Sequence, residues 1–209
     1  MHGVISDKRW SVRLENGNVA HPDIINYLIP GCGFGGSCFP KDVEALKELG
    51  KKVGVQTRML KAVLDVNNEQ PNQILKILKN KLPNIKNSKI LILGLSFKPD
   101  TDDVRESISI KIIKGLLNEE VSIYAHDPKA IKNAKKIIGN NSGIQFIKNW
   151  EKNIKIYDIV LLLTNWDQYK SLKKYSRSLE KKIIFDARRF FEYDDFPYST
   201  YLSIGRSFN

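Results

Sequence analysis

From Lys89 onward the hydrophobic period of the chain changes, and that change restricts its possible folds more than any other feature. "KILILGLSF" is an apolar run of strand length, "SISIKIIKGLLNEE" has helical spacing, "VSIYAHDP" is strand-like again and "KAIKNAKKIIG" helical again. "DIVLLLTNW" and "KKIIFDARR" add two more strands, and "STYLSIG" a last one. Strands that alternate with helices need a parallel sheet with both faces covered, because each crossover lays its helix on the sheet. Residues 85–209 are therefore expected to build a small doubly wound α/β domain.

Upstream, "DVEALKELGKKVG" and "VQTRMLKAVLDVNNEQPNQILKILKNKL" space their apolar residues by three and four. Val43, Leu46 and Leu49, then Leu60, Val63, Leu64, Ile74, Leu75, Ile77 and Leu78, mark amphipathic helices. Gly50 and Gly54 are expected to end the first helix. Pro71 is expected to break or restart the second, since it lacks the N–H a helix interior uses. Residues 1 to about 30 carry the turn signals "ENGN" and "AHPD" without a sustained period and read as an irregular joint. At 209 residues and 42% hydrophobic, the chain has material for one good core and an incomplete partner. The expected division is a partial helical region over 1–84 and the α/β domain over 85–209.

The formal net charge is +11, from 34 Lys and Arg against 23 Asp and Glu, which suits an anionic ligand without choosing one. Lysine is mixed with isoleucine and asparagine along the whole chain, so the excess reads as solvated faces, and no nucleic-acid patch is expected. No stretch approaches the roughly 18 uninterrupted apolar residues of a membrane span, and "MHGVISDKRW" lacks the apolar core of a signal peptide. A cytoplasmic chain with no membrane association is the expectation. Cys32 and Cys38 stand six apart with no second Cys or His pair at ligand spacing, so no metal is expected.

Those cysteines lie in "LIPGCGFGGSCFPKD", which contains a G-x-G-x-x-G at Gly31, Gly33 and Gly36. A dinucleotide fingerprint needs a strand before the first glycine, a helix at the third, and an acidic residue about 20 positions on. Here Pro30 precedes Gly31, Pro40 follows soon after the third glycine, and Lys51 and Lys52 stand where the acid should be. The fingerprint reading fails. The glycines still permit φ > 0 and let a ligand approach bare backbone, whose consecutive N–H groups can face an anion. The loop then runs into a helix, which sets Cys38 close to a helix N-terminus with Lys41 nearby, both of which favour thiolate. Asp42, four residues on, would share a face with Cys38, placed to orient or deprotonate a water. A nucleophilic thiol beside a carboxylate suggests covalent catalysis at a carbonyl. The competing reading is a small buried cysteine and an ordinary N-cap aspartate.

"PGCGFGGSCFPKD" resembles the active-site motif of the UDP-glucose/GDP-mannose dehydrogenase family, and "GLSFKPDTDDVRES" resembles that family's second motif, at the start of its nucleotide-sugar domain. "VNNEQ", "YAHDP", "LLTNW" and "FDARR" extend the resemblance over nearly the whole chain. It implies a Rossmann-like C-terminal domain preceded by helices of an incomplete central domain, with the active-site loop over 27–42. It also implies oxidation of the C6 alcohol of a UDP-sugar in two steps with NAD, UDP-glucose and water giving UDP-glucuronate. On that resemblance Cys38 is the nucleophile, forming a thiohemiacetal and then a thioester, and Asp42 assists hydrolysis. The residues matching substrate contacts are Tyr27, Leu28, Ile29, Pro30, Gly31, Phe34 and Gly35 of the loop, Lys98, Arg188, and Arg9 donated across a homodimer. Lys41 and Arg105 match positions that meet NAD.

Each position also has a plainer reading. Lys98 and Arg105 could be surface charges beside a turn, and Asp186 with Arg188 and Arg189 a structural ion pair. In most members the arginine matched by Arg9 lies closer to the glycine loop, and "SVRLENGNVAHPDIINY" looks like an insertion between them. Cys32 reads as loop filler, and Asn165 stands where many members have an acidic residue. The motifs begin in the middle of the family's pattern, so the NAD-binding half is expected from elsewhere, for example a separate chain. A charge-driven nucleic-acid binder and a non-catalytic UDP-sugar-binding fragment are the competing functions, and GDP-mannose or a UDP-N-acetyl-aminosugar the competing substrates.

Overall fold

A computed structural model of the chain describes residues 11–20 and 31–205. In the first stretch, Val12–Arg13 (β1) pairs antiparallel with Val19–Ala20 (β2). The joint thus holds a small hairpin where an irregular segment was expected, and the "ENGN" turn explains it. Gly17 takes φ +81°, and the Asn16 side chain accepts from Asn18 N at 3.0 Å, an Asx bond that closes the turn.

Two helices follow, α1 (Phe39–Lys52) and α2 (Arg58–Lys81). Pro40 lies in the first turn of α1, where a missing N–H costs nothing. Gly54, at φ +74°, follows the helix end as a terminator should, but Gly50 lies inside α1 and is buried. A Cβ there would meet Thr57 Cγ2 at 2.4 Å, so Gly50 serves the close approach of the next segment rather than the stop. Pro71 likewise does not interrupt α2, which runs unbroken through it. The proline is buried on the stripe Asn67, Pro71, Ile74 and Leu78, and packing on that stripe carries the helix past the one hydrogen bond proline removes.

The remaining elements are β3 (Lys89–Leu93), α3 (Ile108–Leu117), β4 (Ser122–His126), α4 (Ile131–Ile138), β5 (Ile144–Phe146), β6 (Ile159–Leu162), β7 (Ile183–Asp186) and β8 (Thr200–Ser203). All six strands from β3 to β8 are parallel in the order β5-β4-β3-β6-β7-β8. This is the doubly wound arrangement expected from the alternating pattern, with the direction of winding reversing between β3 and β6. One face of the sheet buries Ile90, Ile92, Ile123, Leu161 and Phe185 under α3, α4 and the C-terminal part of α2, which contributes Ile74 and Leu78. The other buries Leu91, Leu93, Val160, Leu162 and Ile184 under Tyr169, Leu172 and Leu179 of a 3-10 segment, Asp167–Leu179, with Trp150 and Phe191. The strands β3, β6 and β7 read as continuous apolar runs because both faces are covered.

Register decides where the functional loops emerge. His126, Leu93, Leu162, Asp186 and Ser203 lie in one row across the sheet, each the last residue of its strand. Residues 94–107, Asp127, residues 163–166 and residues 187–189 therefore all leave the sheet at the same edge, the edge at which open α/β sheets bind ligands.

Candidate functional site

The loop over 31–37 lies along that carboxyl edge, held by its backbone. Cys32 N donates to Ala187 O at 3.0 Å just beyond β7, and Gly36 N donates to Arg105 O at 2.9 Å in the β3–α3 connection. Between them, Gly33 O accepts from Arg188 Nη1 at 3.3 Å. Phe34 is held at both polar atoms: its N–H donates to Asn67 Oδ1 at 2.7 Å, and its carbonyl accepts from Asn67 Nδ2 at 3.0 Å.

Close packing accounts for two of the glycines. A Cβ on Gly35 would lie 2.3 Å from Glu106 O, and one on Gly36, at φ +83°, 2.8 Å from the Phe97 ring. The glycine loop and the "GLSFKPDTDDVRES" loop are thus pressed together, and the first motif rests on the second.

Cys38 is the N-cap residue of α1 and is exposed, whereas Cys32 is fully buried in the core beneath the loop. Burial pushes the Cys32 thiol up, with the nearby Arg188 charge opposing. Cys32 is therefore an inert anchor, and Cys38 the thiol that chemistry can reach. Asp42 N donates to Cys38 O at 2.8 Å, the first helical bond, which sets Asp42 one turn above Cys38 on the same face. The Asp42 carboxylate lies 3.3 Å from Lys41 Nζ, both side chains exposed.

Arg105 is clamped by Asp103: its Nε and Nη2 reach the carboxylate at 3.0 and 2.8 Å. That bond holds the Asp103 carboxyl below its ordinary range and the guanidinium above its own. The orientation of Arg105 is thus set by Asp103. Lys98 is exposed, its ammonium 5.6 Å from the centre of the Phe97 ring that underlies Gly36.

Arg188 is half-buried and bridges two elements, with Nε on Leu163 O at 2.7 Å and Nη1 on the glycine loop. The ion pair weighed for Asp186 is replaced by service to the backbone. Its buried carboxylate accepts from the N–H groups of Arg188, Phe190 and Phe191 and from Tyr201 Oη, at 2.7 to 2.9 Å. Those bonds oppose the burial that raises its pKa. Gly31 lies beside Ala187 and Arg188, Phe34 stands edge-on to Phe39 at 6.1 Å, and Asn165 is exposed. Arg9, Tyr27, Leu28, Ile29 and Pro30 lie outside the described residues.

Two residues that the motifs contain, but that received no role on sequence grounds, organise the site. Asn67 holds the loop. Asp127, buried after β4, accepts from Leu95 N, Ser96 N, Ser96 Oγ, Trp166 Nε1, Lys129 N and Ala130 N, tying together the exits of β3, β4 and β6. The available signal was a polar residue on an apolar stripe for Asn67, and an acid between a strand and a helix start for Asp127.

At the reversal between β3 and β6, Gly94 (φ +101°) packs closely on Thr164: a Cβ there would lie 2.4 Å from Thr164 Cβ, and the Thr164 hydroxyl donates to Ser96 O at 2.6 Å. Among the described residues no cluster of three or more His, Cys, Asp or Glu could hold a metal ion. None of their helices is long and apolar enough to cross a membrane.

Comparison with known proteins agrees with this geometry. Residues 91–193 match the UDP-binding domain of the UDP-glucose/GDP-mannose dehydrogenase family, and residues 14–69 match its central domain. The UDP-glucose 6-dehydrogenase YwqF of Bacillus subtilis is 36% identical over 86% of the chain and 41% of its own length. The UDP-glucose 6-dehydrogenase of Rickettsia prowazekii is 40% identical over 70% of the chain and 34% of its own length. A UDP-glucose dehydrogenase from Pyrobaculum islandicum superposes with a TM-score of 0.75 at 31% identity, covering 87% of the chain and 40% of that structure. The chain therefore spans about two fifths of the length of such relatives. With both motifs meeting on one sheet edge and both domains matched, the chain belongs to the UDP-glucose/GDP-mannose dehydrogenase family.

Proposed function

We propose that this chain supplies the cysteine loop and the UDP-sugar-binding domain of an NAD-dependent UDP-glucose 6-dehydrogenase. The observation that carries the proposal is the packing of the loop that bears Cys38 onto the loop that bears Lys98 and Arg105, with Arg188 bonded to its backbone. Substrate held on that edge would lie across bare glycine backbone, with cations for the diphosphate on one side and the thiol on the other.

Within such a site the Cys38 thiolate attacks the C6 aldehyde carbon, forming a C–S bond as the C=O π bond breaks onto oxygen, which takes a proton from water. Once this adduct is oxidised to the thioester, Asp42, exposed on the same helix face, accepts a proton from a water whose oxygen attacks the acyl carbon. The C–S bond breaks, and the thiolate leaves with its electron pair. The oxidations need a hydride acceptor, which NAD supplies in this chemistry. Lys41 and Arg105 suit its phosphates. In this proposal the acceptor is presented by other residues, from a further segment or a separate chain, in a homodimer whose second copy contributes Arg9.

The match of residues 91–193 to a UDP-binding domain also suits a second reading, a UDP-sugar-binding fragment without turnover. Calorimetric titration with UDP-glucose, GDP-mannose and UDP-N-acetylglucosamine tests the binding half of both readings. UDP-glucose is expected to bind selectively, and Lys98→Ala to weaken it by about tenfold, the effect of losing one charge-assisted contact. Failure of all three nucleotide sugars to bind would sink both readings. Production of NADH from UDP-glucose by the chain alone would refute the need for other residues.

A further inference from the structure

We infer that Asn67 is a positioning residue for the cysteine site, a clamp through which α2 sets where Phe34 stands relative to Cys38. The inference rests on the functional reading above and names a determinant of the same site.

Asn67 is 6% exposed and lies on the stripe that turns α2 toward the rest of the protein, where the neighbouring positions are Pro71, Ile74 and Leu78. A buried amide on such a stripe is costly unless both of its ends are bonded. Here both are, and to a single residue: Oδ1 accepts from Phe34 N at 2.7 Å, and Nδ2 donates to Phe34 O at 3.0 Å. The side-chain amide pairs with the loop as a strand would, so the loop gains the two bonds of a ladder without a partner strand. The fit is tight. A Cβ at Gly33, at φ +109°, would lie 2.7 Å from Asn67 Oδ1, so only glycine lets the amide reach its neighbour.

The clamp acts on chemistry through Phe34. The Phe34 ring stands perpendicular to Phe39, 6.1 Å between centres, and Phe39 is the first residue of α1, directly after Cys38. Fixing the Phe34 backbone therefore fixes the base of the ring that packs on Phe39, the neighbour of Cys38. Pro71 adds to this: it is four residues beyond Asn67 and lacks the N–H that would bond the Asn67 carbonyl, so the clamp sits where α2 is missing a rung. A residue so placed should govern the sugar end of the ligand, which reaches the cysteine loop, and leave the nucleotide end untouched.

The test compares wild type, Asn67→Leu and Asn67→Asp by amide hydrogen exchange and by calorimetry with UDP-glucose and with UDP. Asn67→Leu keeps the branched shape and removes both bonds. It is expected to speed exchange at Phe34 by about tenfold or more and to weaken UDP-glucose by a similar factor, with UDP changed less than about twofold, as loss of two backbone contacts to the loop predicts. Asn67→Asp keeps the acceptor but sets a carboxylate against the Phe34 carbonyl. Protonation restores a donor, so its deficit should shrink between pH 7.5 and 5 relative to wild type at the same pH, while that of Asn67→Leu stays. An unchanged Phe34 exchange rate, or equal losses for UDP and UDP-glucose, would overturn the inference. If Asn67→Leu does not fold, the two-pH comparison in Asn67→Asp decides alone, a flat profile counting against the clamp. If wild type binds neither nucleotide, the functional reading fails, and Phe34 exchange still judges the clamp by itself.

Discussion

Two cysteines six positions apart meet opposite environments, and the difference is set by one turn of loop. Cys32 is drawn into the core by its N–H bond to Ala187, and Cys38 is left at the open start of α1. Alkylation of the native chain should therefore modify one thiol, absent in Cys38→Ser, and a second only in denaturant. Reaction of both at equal rates in the native state would contradict this assignment. At the same scale, Gly35→Ala is expected to cost roughly 1–3 kcal/mol, because its methyl group would push on a backbone carbonyl that cannot swing away. A urea midpoint equal to that of wild type would disprove the contact.

Among the elements, the pair Tyr169 and His126 ties β4 to the 3-10 segment. Tyr169 Oη donates to His126 O at 3.0 Å, and His126 Nδ1 lies 2.9 Å from the same hydroxyl. Burial depresses the His126 pKa below 6.5, with Asp127 and the Lys148 backbone opposing. The sign follows from linkage. Above 6.5 neither state is protonated, but as pH falls below 6.5 the unfolded chain takes up a proton that the folded imidazole resists. Stability is lost over that interval until the folded pKa is passed. Urea midpoints should fall between pH 7.5 and 5.5, with a smaller fall in His126→Asn; an equal slope in the two proteins would assign the pH dependence elsewhere. Much at this scale was legible in advance, since β3, β6 and β7 are uninterrupted apolar runs and α3 keeps its helical period. The 3-10 segment and β5 were not, because "DQYKSLKKYSRSL" is polar apart from its few buried residues and β5 is only three residues long.

Across the whole molecule, apolar side chains left in solvent concentrate on α1 and α2. Phe39, Leu46, Leu49, Val53, Met59, Val63 and Val66 are all exposed, Met59 at 82%, while the sheet domain hides nearly all of its large apolar residues. Apolar area exposed along two neighbouring helices drives association. Light scattering is expected to report species heavier than a monomer, and Leu46→Lys with Met59→Lys to shift the chain toward monomer. A strictly monomeric, non-aggregating wild type would refute this.

The sequence by itself determined the periods, and with them the parallel sheet and the two helices, because burial on one face or two is written in residue spacing. It also carried the motifs that point to Cys38, Asp42, Lys98, Arg105 and Arg188. Only the tertiary structure decided that α2 runs through Pro71, that Gly50 serves packing and that Asp186 binds backbone. It alone paired Asn67 with Phe34, 33 positions away. Periodicity is local and survives in a linear string, whereas a hydrogen-bond partner is chosen by which distant segments the packed core brings together.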